Sequence, residues 1–160
     1  MGKEKIVKTN AMRMLDRLRI PYEVNTYECN EFIDGIHIAD MLGQSYDNTL
    51  KTLVTKGKSR EYFVFAIPIH KELDVKKAAG AVGEKSIELI HVKDIMNITG
   101  YIRGGCSPLG MKKQFRTVID QSVSDCETVI ISGGKIGTQI LLCPQDLLSA
   151  TKGTYEDLCM

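Results

Sequence analysis

The sequence lacks a long hydrophobic run, an excess of one charge and any clustered set of metal-binding side chains. Its 160 residues contain no apolar stretch of the ~18 residues needed to cross a bilayer, and the N-terminal segment is too polar for a signal peptide. Lysine and arginine number 21 against 20 aspartates and glutamates, which excludes a global positive field for coating nucleic acid or a membrane. We expect one cytoplasmic domain, long enough to bury a core.

Cysteine and histidine are present, but not in metal-binding or catalytic patterns. The five cysteines form no Cys-x-x-Cys pair or other zinc spacing, and the three histidines are far apart with no His-Glu-x-x-His. We expect reduced, structural cysteines, no metal and no cofactor. Because no partner histidine is identifiable for Cys106, this residue is either a thiol activated by local charge or an apolar filler of its loop.

Short helices and strands are interleaved irregularly along the chain. Hydrophobic periodicity and capping residues predict helices at residues 10–19, 36–42, 75–82, 91–98 and 145–150. Alternating or β-rich runs predict strands at residues 22–27, 50–55, 62–69, 86–89, 117–120, 128–132 and 138–143. Residues 28–35 are acidic and turn-like. This order favours an α+β fold with a mixed, curved sheet flanked by helices over a doubly wound parallel sheet.

Residues 100–110 form the first glycine loop, Gly-Tyr-Ile-Arg-Gly-Gly-Cys-Ser-Pro-Leu-Gly. The adjacent glycines Gly104 and Gly105 permit positive φ and leave two backbone N–H groups open to an acceptor. Two such donors are the core of an oxyanion hole, and Pro108 stiffens the loop while biasing Ser107 to an extended backbone. A tight turn with a Ser-Pro bend explains the same residues. The pattern leaves both interpretations open.

Residues 132–137 form the second glycine loop, Ser-Gly-Gly-Lys-Ile-Gly. It is not a Walker A motif, because Ile136 follows Lys135 where Ser or Thr is needed, and it does not match Gly-x-Gly-x-x-Gly. The loop is predicted to be a hairpin turn that could contact phosphate.

Lys51 is a charged residue inside an apolar strand. Alternation could place it on a solvated face, the common position for lysine, or it could face a cleft and hold a phosphate or ribose oxygen as a point charge. The sequence leaves both faces open.

Several segments, in order, resemble the YbaK/EbsC family, the bacterial cysteinyl-tRNA(Pro) deacylases related to the editing domain of prolyl-tRNA synthetases. The resemblance spans nearly the whole chain and is carried by residues 8–11, 51–54, 72–77, 99–110, 117–120 and 132–135. It implies a single α+β domain covering residues 1–160, built on a mixed, partly barrel-like sheet. It also implies removal of mischarged cysteine from tRNA(Pro) by substrate positioning and backbone oxyanion stabilisation.

The same resemblance implies partners and site residues. The partners are the 3′ end of aminoacyl-tRNA and, transiently, prolyl-tRNA synthetase, with no membrane and no metal involved. The implied catalytic residues are Lys51, Gly104 and Gly105. The implied substrate-binding residues are Tyr27, Thr52, Ser107, Ser132, Gly133 and Gln139.

Two departures from the family pattern bear on mechanism. Members usually carry an aliphatic residue at the position of Cys106, which favours the filler interpretation. They commonly carry aspartate in a Gly-x-Asp-Ile pattern where this chain has Gln139, and the lost charge would weaken an anchor for a substrate ammonium. Attack by the substrate's own thiol and attack by water both remain open, as do alanyl-tRNA(Pro) as substrate and a non-catalytic aminoacyl-tRNA or nucleotide-binding module.

Overall fold

The computed structural model describes residues 7–29 and 33–160, and it has the α+β fold expected from the irregular element order. The helices are α1 (Asn10–Arg17), α2 (Gly35–Leu42), α3 (Val75–Val82), α4 (Ile95–Thr99) and α5 (Pro144–Thr151). The strands are β1 (Glu23–Thr26), β2 (Leu50–Gly57), β3 (Tyr62–Pro68), β4 (Ile87–Leu89), β5 (Arg116–Asp120), β6 (Val129–Ser132), β7 (Thr138–Leu142) and β8 (Thr154–Glu156). Short 3₁₀ turns precede α4, at Val92–Asp94, and follow β5, at Gln121–Val123.

The strands form two sheets. The smaller is antiparallel in the order β1-β7-β6, and the larger is mixed in the order β4-β2-β3-β5-β8, with β5 parallel to both of its neighbours. One parallel bridge, Thr49 to Ile130, joins them, and the Ile130 N–H donates to the Asn48 carbonyl at 2.9 Å. The mixed sheet is confirmed. Across residues 7–29 and 33–160 the strands do not close into a barrel.

Strand β3 divides the core into two layers. Because strand side chains alternate between faces, Phe63, Phe65 and Ile67 pack on one side with α3, and Ala66 faces the opposite side. That opposite layer holds apolar residues of α1, α5 and the smaller sheet. β3 is therefore covered on both faces, which is why its sequence is an almost unbroken apolar run.

Local capping signals account for the helix boundaries. The Thr9 side chain caps α1 by accepting from the Met12 N–H, and the Asp74 carboxylate caps α3 through the N–H groups of Lys76 and Lys77. Gly83 ends α3 in the left-handed conformation, with φ of 73°. These predicted boundaries are confirmed to within a residue or two.

The C-terminal segment differs from the sequence-based prediction. β8 was not predicted, because its three residues carry no clear alternation and pair only with distant β5. A buried carboxylate, Asp120, holds the segment by accepting from the Leu158 N–H at 3.0 Å. The predicted acidic turn at 28–35 includes residues 30–32, which lie outside the described residues. No described helix has the length and apolar character that a membrane crossing requires.

Candidate active site

A cavity of about 420 Å³ opens beside the N-terminal half of β2. Its wall is contributed by β2, by the ends of β6 and β7, by the start of α2, and by the first glycine loop. It lies where the two sheets meet, so residues far apart in sequence share one wall. Six of the nine residues implied by the family resemblance line it: Tyr27, Lys51, Thr52, Gly104, Ser132 and Gln139.

One edge of β2 is left unpaired beside this cavity. On the β3 side, the Ile69 N–H donates to the Thr49 carbonyl; on the opposite edge, the Ile90 N–H donates to the Val54 carbonyl. Because the hydrogen-bonding direction alternates along a strand, Thr52 points its N–H and carbonyl toward the same edge as Val54. β4 pairs only with the C-terminal part of β2. No described strand pairs with Thr52 on that edge, and Thr52 lines the cavity.

Lys51 is half-buried at the cavity wall rather than on a fully solvated face. Burial lowers the pKa of its ammonium group from the ordinary value of 10.5, while the negative charge of Glu72 acts in the opposite direction. A desolvated lysine of this kind is a strong point charge for an anionic group and loses its proton more readily than a surface lysine.

The first glycine loop presents one glycine to the cavity and buries the other. Gly104 is exposed, has φ of 83°, and its N–H has no hydrogen-bond acceptor among the described residues. Gly105 is buried, and its N–H donates to the Ile102 carbonyl at 3.0 Å. The expectation of two adjacent open donors is therefore corrected: only Gly104 offers one, since the turn itself occupies the Gly105 N–H.

Gly105 has a packing reason to be glycine. A Cβ atom built there would lie 2.9 Å from the Cα of Lys135, which belongs to the second glycine loop. The two glycine loops thus touch backbone to backbone at this position. Gly105 is outside the cavity lining, and so is Ser107, which is fully buried and accepts from the Leu109 N–H through its hydroxyl.

The second glycine loop is a hairpin turn, as predicted. The Gly133 N–H donates to the Thr138 carbonyl at 2.8 Å, and Gly133 does not line the cavity. Ser132 does line it, and its hydroxyl accepts from the Gly134 N–H. The Thr9 hydroxyl, at the start of α1, donates to the Gly133 carbonyl at 2.6 Å and holds the loop from behind.

Cys106 lies in the cavity wall but is not poised as a nucleophile. Burial raises the pKa of its thiol to about 11, and a hydrogen bond with Thr99 opposes this only in part. The thiol is therefore neutral near pH 7, whereas a nucleophilic cysteine needs the thiolate. This environment favours the filler interpretation.

Gln139, where the family resemblance leads us to expect aspartate, is hydrogen-bonded to a partner that the sequence did not suggest. Its amide accepts from the Gln44 amide at 2.7 Å and donates back to it at 3.1 Å. Gln139 is only 6% exposed. The pair satisfies one donor and one acceptor of each amide, so the cavity wall is neutral here.

Sequence reasoning missed one charged residue of the wall, Asp34, and placed Arg103 in a basic strip suited to phosphates rather than among the site residues. Asp34 is the N-cap of α2, and an aspartate two residues before the predicted helix was the available signal. Among residues 7–29 and 33–160, no group of three or more His, Cys, Asp or Glu side chains could hold a metal ion.

Fold and cavity together define a small α+β domain with a largely apolar pocket that carries a few polar and charged groups. The family model of the aminoacyl-tRNA editing domain matches residues 36–150. The chain belongs to the aminoacyl-tRNA editing domain family.

Individual relatives support this assignment. A protein of Enterococcus faecalis named EbsC, described as a candidate Cys-tRNA(Pro)/Cys-tRNA(Cys) deacylase, is 43% identical over 152 residues, which cover 94% of this chain and 93% of the relative. A proline–tRNA ligase of Brachyspira hyodysenteriae is 31% identical over 96 residues, covering 60% of this chain but only 17% of the ligase. A crystal structure described as a candidate trans-editing enzyme for prolyl tRNA synthetase has the same fold, with a TM-score of 0.81 at 20% identity, covering 97% of this chain and 99% of that one.

Proposed function

We propose that this protein is a trans-editing deacylase that removes a mischarged amino acid, cysteine in the first instance, from tRNA(Pro). The substrate would enter as the 3′-terminal aminoacyl-adenosine of the tRNA. The observation that carries the proposal is the meeting of Lys51, Gly104 and the open edge of β2 at one cavity in a member of this family. A cytoplasmic location and a transient association with prolyl-tRNA synthetase belong to the same proposal.

The chemistry we propose relies on positioning and electrostatics. The Gly104 N–H and the Lys51 ammonium line the same cavity, and both are suited to a carbonyl oxygen that gains negative charge during attack on the ester. Thr52 offers a further main-chain donor and acceptor along the β2 edge. No side-chain nucleophile is required, in keeping with the neutral thiol of Cys106.

Two attacking groups fit this pocket. The thiol of a cysteinyl substrate can attack its own ester carbonyl, releasing the tRNA hydroxyl and a strained four-membered thiolactone, or water can attack and release the free amino acid. Alanyl-tRNA(Pro) has no thiol and can be cleaved only by water. An apolar pocket separates substrates that differ by one methylene by only about 1–3 kcal/mol, so both aminoacyl groups are candidates.

The test is a deacylation assay on three labelled substrates: cysteinyl-tRNA(Pro), alanyl-tRNA(Pro) and cysteinyl-tRNA(Cys). We expect the protein to shorten the ester lifetime of cysteinyl-tRNA(Pro) below the lifetime set by spontaneous hydrolysis. Cleavage of the alanyl substrate at a similar rate would assign the attack to water. Unchanged lifetimes on all three substrates would reject the proposal.

A second candidate is a non-catalytic module that binds the aminoacyl or nucleotide end of tRNA. The neutral Gln44–Gln139 pair, at a position where the family commonly has a carboxylate, favours it. Gln139→Asp separates the two candidates. A module that has lost activity should bind tRNA as it stands and gain turnover with the carboxylate, whereas an active deacylase should already turn over without it.

A further inference from the structure

The cavity wall carries three charged side chains among the described residues: Lys51, Arg103 and Asp34. Asp34 is the one carboxylate. The aminoacyl end of a tRNA brings the opposite pattern, since its phosphates are anionic and its single cation is the α-ammonium group. Near Lys51 and Arg103 that ammonium would be repelled, and near Asp34 it would be attracted.

The other polar side chains of the described wall offer no negative charge, and Gln139 is among the buried ones. Gln139 is neutral, and its amide oxygen already accepts a hydrogen bond from Gln44. A neutral amide gives a cation less stabilisation than a carboxylate does, because only the carboxylate adds the Coulombic attraction of a full negative charge. If the substrate ammonium has an anionic partner in the described wall, that partner is Asp34.

The Asp34 carboxylate is held in a defined orientation. One oxygen accepts from the His37 N–H at 2.9 Å, and the other lies 2.8 Å from His37 Nδ1. These bonds lower the pKa of Asp34, so the group is ionised at neutral pH. A carboxylate has about four acceptor sites; His37 uses two of them, and the Ile36 N–H also interacts with the group. Acceptor capacity therefore remains for a ligand.

The backbone at this point is also fixed against the cavity wall. A Cβ atom at Gly35 would lie 3.1 Å from Cγ2 of Ile69, so the start of α2 packs closely on the end of β3. Ile69 itself lines the cavity. The carboxylate is therefore carried by a packed helix start.

We propose that Asp34 binds the α-ammonium group of the aminoacyl substrate. This inference rests on the proposed function, because it assumes an aminoacyl ligand. It makes Asp34 a specificity-determining residue: substrates with a free amino group are bound, and those with a blocked one are disfavoured.

Asp34→Asn is the informative variant. Asparagine is as good an N-cap as aspartate, so α2 should keep its first turn while the cavity loses the charge. Asp47→Asn is the matched control, because it removes the same charge from a side chain that is 83% exposed and outside the cavity lining. Thermal unfolding of both variants should stay close to that of the parent.

The binding experiment uses two ligands that cannot be hydrolysed: 3′-alanylamino-3′-deoxyadenosine, which has the ammonium, and its propionylamino counterpart, which lacks it. Calorimetry should show that the parent and Asp47→Asn bind the ammonium ligand about tenfold more tightly, and that Asp34→Asn binds the two equally. An unchanged preference in Asp34→Asn would overturn the inference, as would no preference in the parent or no binding of the ammonium ligand to it.

A kinetic experiment keeps this inference separate from the proposed function. In the parent, kcat/KM should be about tenfold higher for cysteinyl-tRNA(Pro) than for N-acetylcysteinyl-tRNA(Pro), and Asp34→Asn should remove most of that ratio. Hydrolysis with the same ratio in both proteins would overturn the role of Asp34 and leave the deacylase standing. A lack of hydrolysis in every protein would reject the deacylase, while the binding experiment would still decide whether Asp34 recognises the ammonium.

Discussion

The two glycine loops are similar in sequence but contribute different groups to the cavity. The first, residues 100–110, brings a main-chain group to the cavity at Gly104, while Gly105 behind it is buried against Lys135. The second, residues 132–137, brings a side chain to the cavity at Ser132, while Gly133 closes the hairpin. One loop thus offers backbone and the other offers a hydroxyl.

This difference shows that some glycines of these loops are needed for close packing and not for a functional site. At Gly105 the neighbouring backbone is too near for a side chain, and at Gly133 a Cβ atom would lie 2.6 Å from Cγ2 of Thr138. Both glycines permit close packing. Only Gly104 combines positive φ, exposure and a position in the cavity wall.

The largest expected effect comes from Lys51, which lines the same cavity as both loops. If the first loop and Lys51 act on the same developing negative charge, Lys51→Met should lower kcat on the order of 100-fold, the usual loss for one such group. The unfolding free energy should hold or rise, because a partly buried charge is removed. A rate within threefold of the parent would show that the loops act without this charge.

The pH dependence of activity and stability also tests the role of Lys51, because burial lowers the pKa of its ammonium group. Activity should fall as pH rises through that lowered value. Between it and the ordinary value of 10.5 the unfolded chain binds more protons than the folded one, so this residue's contribution to the unfolding free energy rises with pH. Lys51→Met should remove both trends in rate profiles and urea titrations, after correction for spontaneous ester hydrolysis.

The next effect compares the adjacent glycines of the first loop. Gly105→Ala places a Cβ atom 2.9 Å from the Lys135 backbone, and we expect about 1–3 kcal/mol of lost stability. Gly104→Ala should lower stability by about 1–2 kcal/mol, because alanine is strained in the left-handed backbone conformation. Relative to this loss of stability, its loss of kcat should be greater than that of Gly105→Ala. Chemical denaturation and single-turnover rates check both. If both variants lost stability and rate in the same proportion, the division of roles within the loop would fail.

A smaller effect tests how the second loop is held. Thr9→Ala removes the N-cap of α1 and the bond to the Gly133 carbonyl, so we expect about 1 kcal/mol of lost stability and a modest rise in KM. Thr9→Ser keeps the hydroxyl and is the matched control. Equal stability of the alanine and serine variants in urea would show that the contact contributes nothing.

The smallest effect is expected at Cys106. Its pKa of about 11 leaves the thiol neutral near pH 7, so Cys106→Ser should keep kcat within about twofold of the parent. The thiol should also react slowly with iodoacetamide at pH 7, as followed by mass spectrometry. Abolished turnover in Cys106→Ser, with the fold intact, would show that the first loop supplies a nucleophile, the Cys106 thiol.

Much of the fold could be predicted because its signals are local. Thr9 and Asp74 each precede a run of periodic apolar positions, and Gly83 follows the run that Asp74 begins. The ends of these helices can therefore be predicted from residues next to them in sequence. β8 could not be predicted, since its three residues become a strand only by pairing with β5 and through the anchor at Asp120. Non-local pairing leaves little trace in a short segment.

The sequence by itself determined the class of the fold, the family, and the residue types that could form a pocket, because these depend on periodicity, capping and motif order along the chain. Only the tertiary structure decided that Lys51 faces the cavity and that Gly104, rather than Gly105, reaches it. It also decided that Asp34 and Gln139 lie in the same wall, with Gln139 hydrogen-bonded to Gln44. The physical reason is that these facts depend on distances between segments, and the meeting of the two sheets sets those distances.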